Sequence, residues 1–116
     1  MNLPARIPKP AKRASRWKSQ THLKFVRGFS CSNCGSTVNI EAAHVRIGSG
    51  AGIGQKPDDW RAVSLCGGVE GCHALQHRVG EETFWKDRDV EALIRALIQA
   101  SPKRREIEQI MRDRGL

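Results

Sequence analysis

Leu65-Cys66-Gly67-Gly68-Val69-Glu70-Gly71-Cys72-His73-Ala74-Leu75-Gln76-His77 sets two cysteines and two histidines in one short run. Upstream stand Cys31-Ser32-Asn33-Cys34 and then His44, within Ala42-Ala43-His44-Val45. All four cysteines and three of the four histidines therefore fall between positions 31 and 77. Zinc prefers four tetrahedral sulfur or nitrogen ligands, and a Cys-x-x-Cys knuckle offers two thiolates on one turn. Cys66 and Cys72 would complete a four-thiolate set with Cys31 and Cys34. Their spacing is wider than usual, but the intervening Gly-Gly-Val-Glu-Gly is mostly small and can fold back to one ion. The competing reading is four reduced cysteines with no metal. His73 and His77 lie four apart, which on a helix puts both imidazoles on one face, a standard way to hold one divalent ion. His44 is not at ligand spacing from them and suits a general base rather than a ligand.

The flanking sequence supplies a frame. Residues 37–46 are β-branched in their first half and predict a strand or hairpin, and Ala62-Val63-Ser64-Leu65 predicts a second strand running into Cys66. Cys72 to Arg78 predicts a helix interrupted at Gly80. Between the strands, glycine occupies every second position from Gly48 to Gly54. No Gly-Lys-Ser/Thr follows and the spacing is not GxGxxG, so this is an excursion rather than a P-loop or dinucleotide loop. Residues 22–29, HLKFVRGF, predict a short strand ending near Gly28, with His22 on the surface. Val90, Leu93, Ile94, Leu97 and Ile98 repeat at helical spacing behind Asp89 as N-cap. Ser101-Pro102 predicts the start of a second helix, with Ile107, Ile110 and Met111 on its apolar side and Gly115 closing it. Trp60, Phe84 and Trp85 are expected in the core, since aromatics are scarce.

At 116 residues the chain has room for one domain with tails. It carries 20 Lys+Arg against 12 Asp+Glu, a formal net charge of +8. The first 40 residues contain eight basic residues and no acidic one, while residues 41–116 are balanced. Such an asymmetric arm is the footprint of a polyanion binder, with Lys12, Arg13, Arg16 and Lys18 as candidate contacts. Arg46, Arg61 and Arg78 flank the histidines and are expected to meet phosphates. No run of 18 or more apolar residues exists, which excludes an apolar membrane-spanning helix. The N-terminus has no apolar stretch of the signal-peptide kind, so a cytoplasmic location with reduced thiols is expected.

The series Cys31-x2-Cys34, Ala43-His44-Val45, Leu65-Cys66, Cys72-His73-x3-His77 resembles the HNH (ββα-metal) nucleases. The longer run from Ala42 to Trp85 is similar to phage-borne recombination-enhancement (Ref-like) HNH proteins. The resemblance covers residues 31–86, about half the chain, and neither the basic arm nor the terminal helices. It implies that His44 deprotonates water for attack on a phosphodiester. His73 and His77 would hold one catalytic divalent ion (Mg2+, Mn2+ or Zn2+), and Cys31, Cys34, Cys66 and Cys72 a structural Zn2+. Cleavage would leave a 5′-phosphate and a 3′-hydroxyl. Two departures stand out. Ala43 occupies the place where many members carry an Asp or His ligand, leaving Glu41 or water to fill it. The family's central asparagine is missing between His44 and Cys66. Asp58 or Asp59 is the candidate to orient the base instead, with Asp59 preferred as nearer the second strand; Pro-Asp-Asp is also ordinary turn chemistry.

The resulting expectation is an α+β fold, with a small zinc-stapled ββα-metal core, a basic N-terminal arm and a C-terminal helical pair. Residues 1–21 would form a flexible arm, 22–87 the metal-bound domain, and 88–116 helices packing on it. The expected function is metal-dependent endonucleolytic hydrolysis of DNA, in the cytoplasm of a bacterial or phage-infected cell. DNA is the expected partner, a recombinase filament a further candidate, and no membrane is involved. The alternative is a non-catalytic, zinc-stabilised nucleic-acid-binding module.

Overall fold

Asn39 turns left-handed, with φ +54°, and the chain becomes extended directly after it. Strand β1 accordingly runs Ile40–His44 and starts three residues later than the side chains predict. Strand β2, Ala62–Cys66, lies antiparallel to it. The register pairs Ile40 with Cys66 and His44 with Ala62, so one end of the ribbon carries a cysteine and the other a histidine. The computed structural model describes residues 2–8, 16–51 and 55–116. Lys12 and Arg13, and the later part of the glycine run, lie outside the described residues.

A 3-10 turn, Asp59–Arg61, leads into β2. Helix α2, Cys72–Val79, follows β2 and ends at Gly80, where φ is +88°. A single turn α3, Glu81–Phe84, leads to helix α4, Val90–Ala100, whose N-cap Asp89 accepts from the Ala92 N–H. Helix α4 buries Val90, Ile94, Leu97 and Ile98 on one stripe, as the periodicity predicts. Helix α5, Arg104–Asp113, starts two residues beyond the predicted proline start. Ser101 is buried instead and its hydroxyl takes the Lys103 N–H at 3.1 Å, which delays the first helical turn. The core joins Ala43, Val45, Val63 and Leu65 of the ribbon region to Trp60, Trp85 and the stripe of α4, closed by Ile107. The class is α+β. Among the described residues, no helix is long and apolar enough to cross a membrane.

The segment predicted as a first strand is a helix. Helix α1, Gln20–Arg27, is capped by Ser19, whose side chain accepts from the His22 N–H. His22 and Val26, one turn apart, are fully buried. That i, i+4 pair, rather than alternation, sets the period. His22 is thus a core residue and not a surface one; its Nδ1 lies 2.7 Å from Ser101 Oγ.

The packed body also begins earlier than residue 22. Trp17 is buried against Trp60, with ring centroids 5.6 Å apart. Its backbone N–H donates to Asp58 at 2.6 Å, its carbonyl accepts from the Asp59 N–H at 2.9 Å, and its indole donates to Glu106 at 3.1 Å. Residues 16–19 therefore belong to the domain and not to an arm.

Candidate metal centre and histidine cleft

The four cysteines converge from three places: the loop after α1, the end of β2 and the first turn of α2. Their sulfurs all lie within 4.8 Å of one another, and all four are free thiols. Tetrahedral zinc with Zn–S bonds of about 2.3 Å sets its sulfurs roughly 3.8 Å apart. Cys34 and Cys66 Sγ stand 3.7 Å apart, so that pair is at the spacing such an ion requires, and the other two sulfurs are near enough to join it. Gly71 makes the wide second spacing workable: a Cβ there would run into the carbonyl oxygens of Cys66 and Gly67, so only glycine lets the loop double back.

Backbone donors surround the sulfurs. Cys31 Sγ accepts from the N–H groups of Asn33 and Cys34 at 3.4 and 3.5 Å, and Cys66 Sγ from Cys72 N–H at 3.3 Å. The Asn33 side-chain amide donates to Cys72 Sγ at 3.2 Å. Burial pushes the Cys31 thiol up, but the N–H groups of Cys34, Cys66 and Asn33 outweigh it and bring it down to about 6. Burial pushes the Cys72 thiol up to about 12, and the neighbouring sulfurs add to the rise against the Asn33 amide. Four thiols this close cannot all ionise without a cation among them. The cluster could hold a metal ion and is compatible with structural zinc.

At the other end of the ribbon, His44, His73 and His77 line one cleft of about 360 Å³ together with Arg46, Gln55, Lys56 and Pro57. His73 and His77 project from successive turns of α2 with ring centroids 4.9 Å apart. Each of two imidazoles has a carboxylate behind it. His44 Nε2 lies 2.8 Å from Asp59 Oδ1, and His73 Nδ1 lies 2.9 Å from Glu41 Oε1. Asp59 is buried and also accepts from Arg16 Nη1 at 2.8 Å and Ser19 N–H at 2.9 Å. Burial opposes its charge, but the bonds from His44, Ser19 and Arg16 hold the carboxyl below its usual range. An ionised Asp59 can only accept, so His44 donates to it from Nε2 and Nδ1 is the ring nitrogen left for other contacts. Glu41 likewise engages His73 through Nδ1, so Nε2 is the ring nitrogen that this contact does not use.

Of the two aspartates, Asp59 is the one on His44. Asp58 instead receives the Trp17 N–H and a two-bond contact from Arg114 at 3.0 and 3.1 Å. Glu41 faces His73 rather than standing as an independent ligand, and Gly67 admits it, since a Cβ there would sit 2.6 Å from Glu41 Oε1. Among the described residues, the four cysteines are the one group of three or more potential ligands close enough to share an ion.

The expected phosphate contacts divide. Arg46, Arg78 and Lys18 are exposed. Arg61 is not available: it is buried, donating to the Val45 and Ile47 carbonyls at 3.1 and 2.7 Å and to Glu91 at 3.0 Å. Its guanidinium ties the chain after β1 to α4, which corrects the sequence expectation. Arg16 sits half-buried against Asp59, with Nη1 2.8 Å from the carboxylate oxygen that His44 also meets. Sequence reasoning missed this placement of Arg16 and missed Lys56 in the cleft wall. A cation next to Pro57-Asp58-Asp59 was the available signal for Lys56; nothing local marks Arg16.

Compared with known proteins, the chain matches no family model, no curated protein and no solved structure.

Proposed function

We propose that the protein is a metal-dependent endonuclease of HNH type that hydrolyses DNA phosphodiester bonds, with the cysteine cluster holding a structural zinc. The observation that carries this reading is the convergence of His44, His73 and His77 on one cleft, with an ionised carboxylate behind His44. In this reading His44 Nδ1 takes a proton from water as the water oxygen attacks phosphorus, and the bond to the departing oxygen breaks. Asp59 fixes the tautomer and offsets the positive charge that His44 gains. His73 and His77 would hold a divalent ion, which when bound supplies charge against the negative charge growing on the phosphate. Glu41 orients His73 toward it. Arg46 and Lys56 supply further positive charge at the cleft.

Incubation with supercoiled plasmid and Mg2+ or Mn2+ tests the reading. Nicking is expected, lost in His44→Ala and reduced by roughly 100-fold or more in Asp59→Asn, as for a positioned general base. DNA binding without metal-dependent cleavage would instead establish a non-catalytic, zinc-stabilised binding module.

A further inference from the structure

A second cleft, of about 390 Å³, adjoins the histidine cleft, and Gln55, Lys56 and Pro57 line both. Three cations, Arg16, Lys56 and Arg114, face the second cleft against one acid, Asp58. Two of the three already have carboxylate partners: Arg16 meets Asp59 through Nη1 and Arg114 meets Asp58 through its own Nη1. Lys56 is different. It is exposed, stands on the shared wall, and makes no ion pair among the described residues. A lysine so placed offers three donors and a point charge to a phosphate. Neither cleft is lined by a tryptophan or phenylalanine, and Trp60 and Trp85 are buried, so neither residue type offers a base a stacking platform here.

We infer that the second cleft is a backbone subsite, in which Lys56 binds the phosphate next to the one presented to His44, whatever the base. The wall that Lys56 shares between two adjoining clefts is what consecutive nucleotides of one strand require. Which phosphate is cut rests on the nuclease reading; the binding of a strand across both clefts does not.

The test uses the full chain and a fluorescent oligothymidylate, with divalent ions withheld and binding followed by anisotropy across a salt series. Lys56→Ala should weaken binding several-fold at low salt and lower the slope of log affinity against log salt by about 0.7, one single-strand phosphate contact. Lys56→Arg should restore both. Wild-type affinity and slope in Lys56→Ala would overturn the inference, as would failure of the wild-type chain to bind the oligonucleotide. Wild-type binding without cleavage once Mg2+ or Mn2+ is added would sink the nuclease reading and leave the subsite standing. Where cleavage occurs, a neutral methylphosphonate beside the cut linkage should raise KM for the wild type and not for Lys56→Ala. An equal rise in both proteins would place that phosphate elsewhere and overturn the assignment.

Discussion

Arg61 and Arg78 carry the same side chain and should behave oppositely when it is removed. Arg61→Ala orphans the Val45 and Ile47 carbonyls beside the core. Unsatisfied buried acceptors cost about 1–3 kcal/mol each. A loss of roughly 2–3 kcal/mol is therefore expected for the variant, read as a lower urea midpoint at unchanged slope. The Glu91 pair adds little to that figure, because Glu91 is half-exposed. Arg78→Ala should leave the midpoint within about 0.5 kcal/mol, as surface changes do, and weaken DNA binding. His22 makes a second prediction at this scale. Burial lowers its pKa from 6.5, against a smaller upward pull from Asp59, so the unfolded chain takes up a proton that the folded chain resists. Stability is then fully present above about pH 6.5 and falls as the pH drops from there toward the depressed value of the folded state. His22→Gln should flatten that part of a stability-against-pH curve; an unchanged slope between pH 7 and 5 would assign the titration elsewhere.

Elements succeed or fail here by whether they can close without a metal. The ribbon has only two short strands, too few for independent stability. Hydrogen bonds from Ser32 N–H to the Ser64 carbonyl and from Ser64 Oγ to the Ser30 carbonyl, both 2.8 Å, join β2 to the segment around the knuckle, and the four sulfurs gather at its cysteine end. One zinc per chain is expected, released by chelator or by Cys34→Ser, and retained in His73→Ala. Losing even about 3 kcal/mol of metal-linked folding energy would lower Tm by roughly 10–20 °C in a domain of this size. A metal-free chain that melts at the same temperature would show that the cluster staples nothing. The knuckle, both strands, α2 and α4 were legible in the sequence because spacing alone defines them. Helix α1 was not. Its burial depends on His22, a residue that a hydropathy pattern scores as polar, and its cap is a serine without the usual acidic partner three residues on. The site divides the same way. Asp59 behind His44 could be anticipated from a carboxylate beside the second strand. The Glu41–His73 pair and the burial of Arg61 depend on how β1 and α4 pack, which local sequence does not encode.

At the scale of the whole molecule, the two ends of the chain meet behind the candidate base. Arg16, Trp17 and Ser19 reach Asp58 and Asp59 from the N-terminal side, and Arg114 reaches Asp58 from the C-terminal side. Two truncations test whether packing and polyanion binding are separate roles of the N-terminal third. Residues 1–15 hold four cations, Arg6, Lys9, Lys12 and Arg13, and no acid. Deleting them should reduce the salt slope of duplex binding by up to about 3.6, the limit in which each cation meets one phosphate. Deleting residues 1–19 goes further, because it removes the Trp17 ring from Trp60, the cap of α1, and the two groups that hold the Asp59 carboxylate besides His44. Removing a buried tryptophan alone costs about 3–5 kcal/mol, so this deletion should lower Tm by at least roughly 10 °C and lower nicking per folded molecule. Equal melting temperatures for the two truncations would mean that residues 16–19 do not support the domain. An unchanged salt slope in both would move the polyanion contacts off the N-terminal segment and onto the cleft walls, where Arg46 and Lys56 stand.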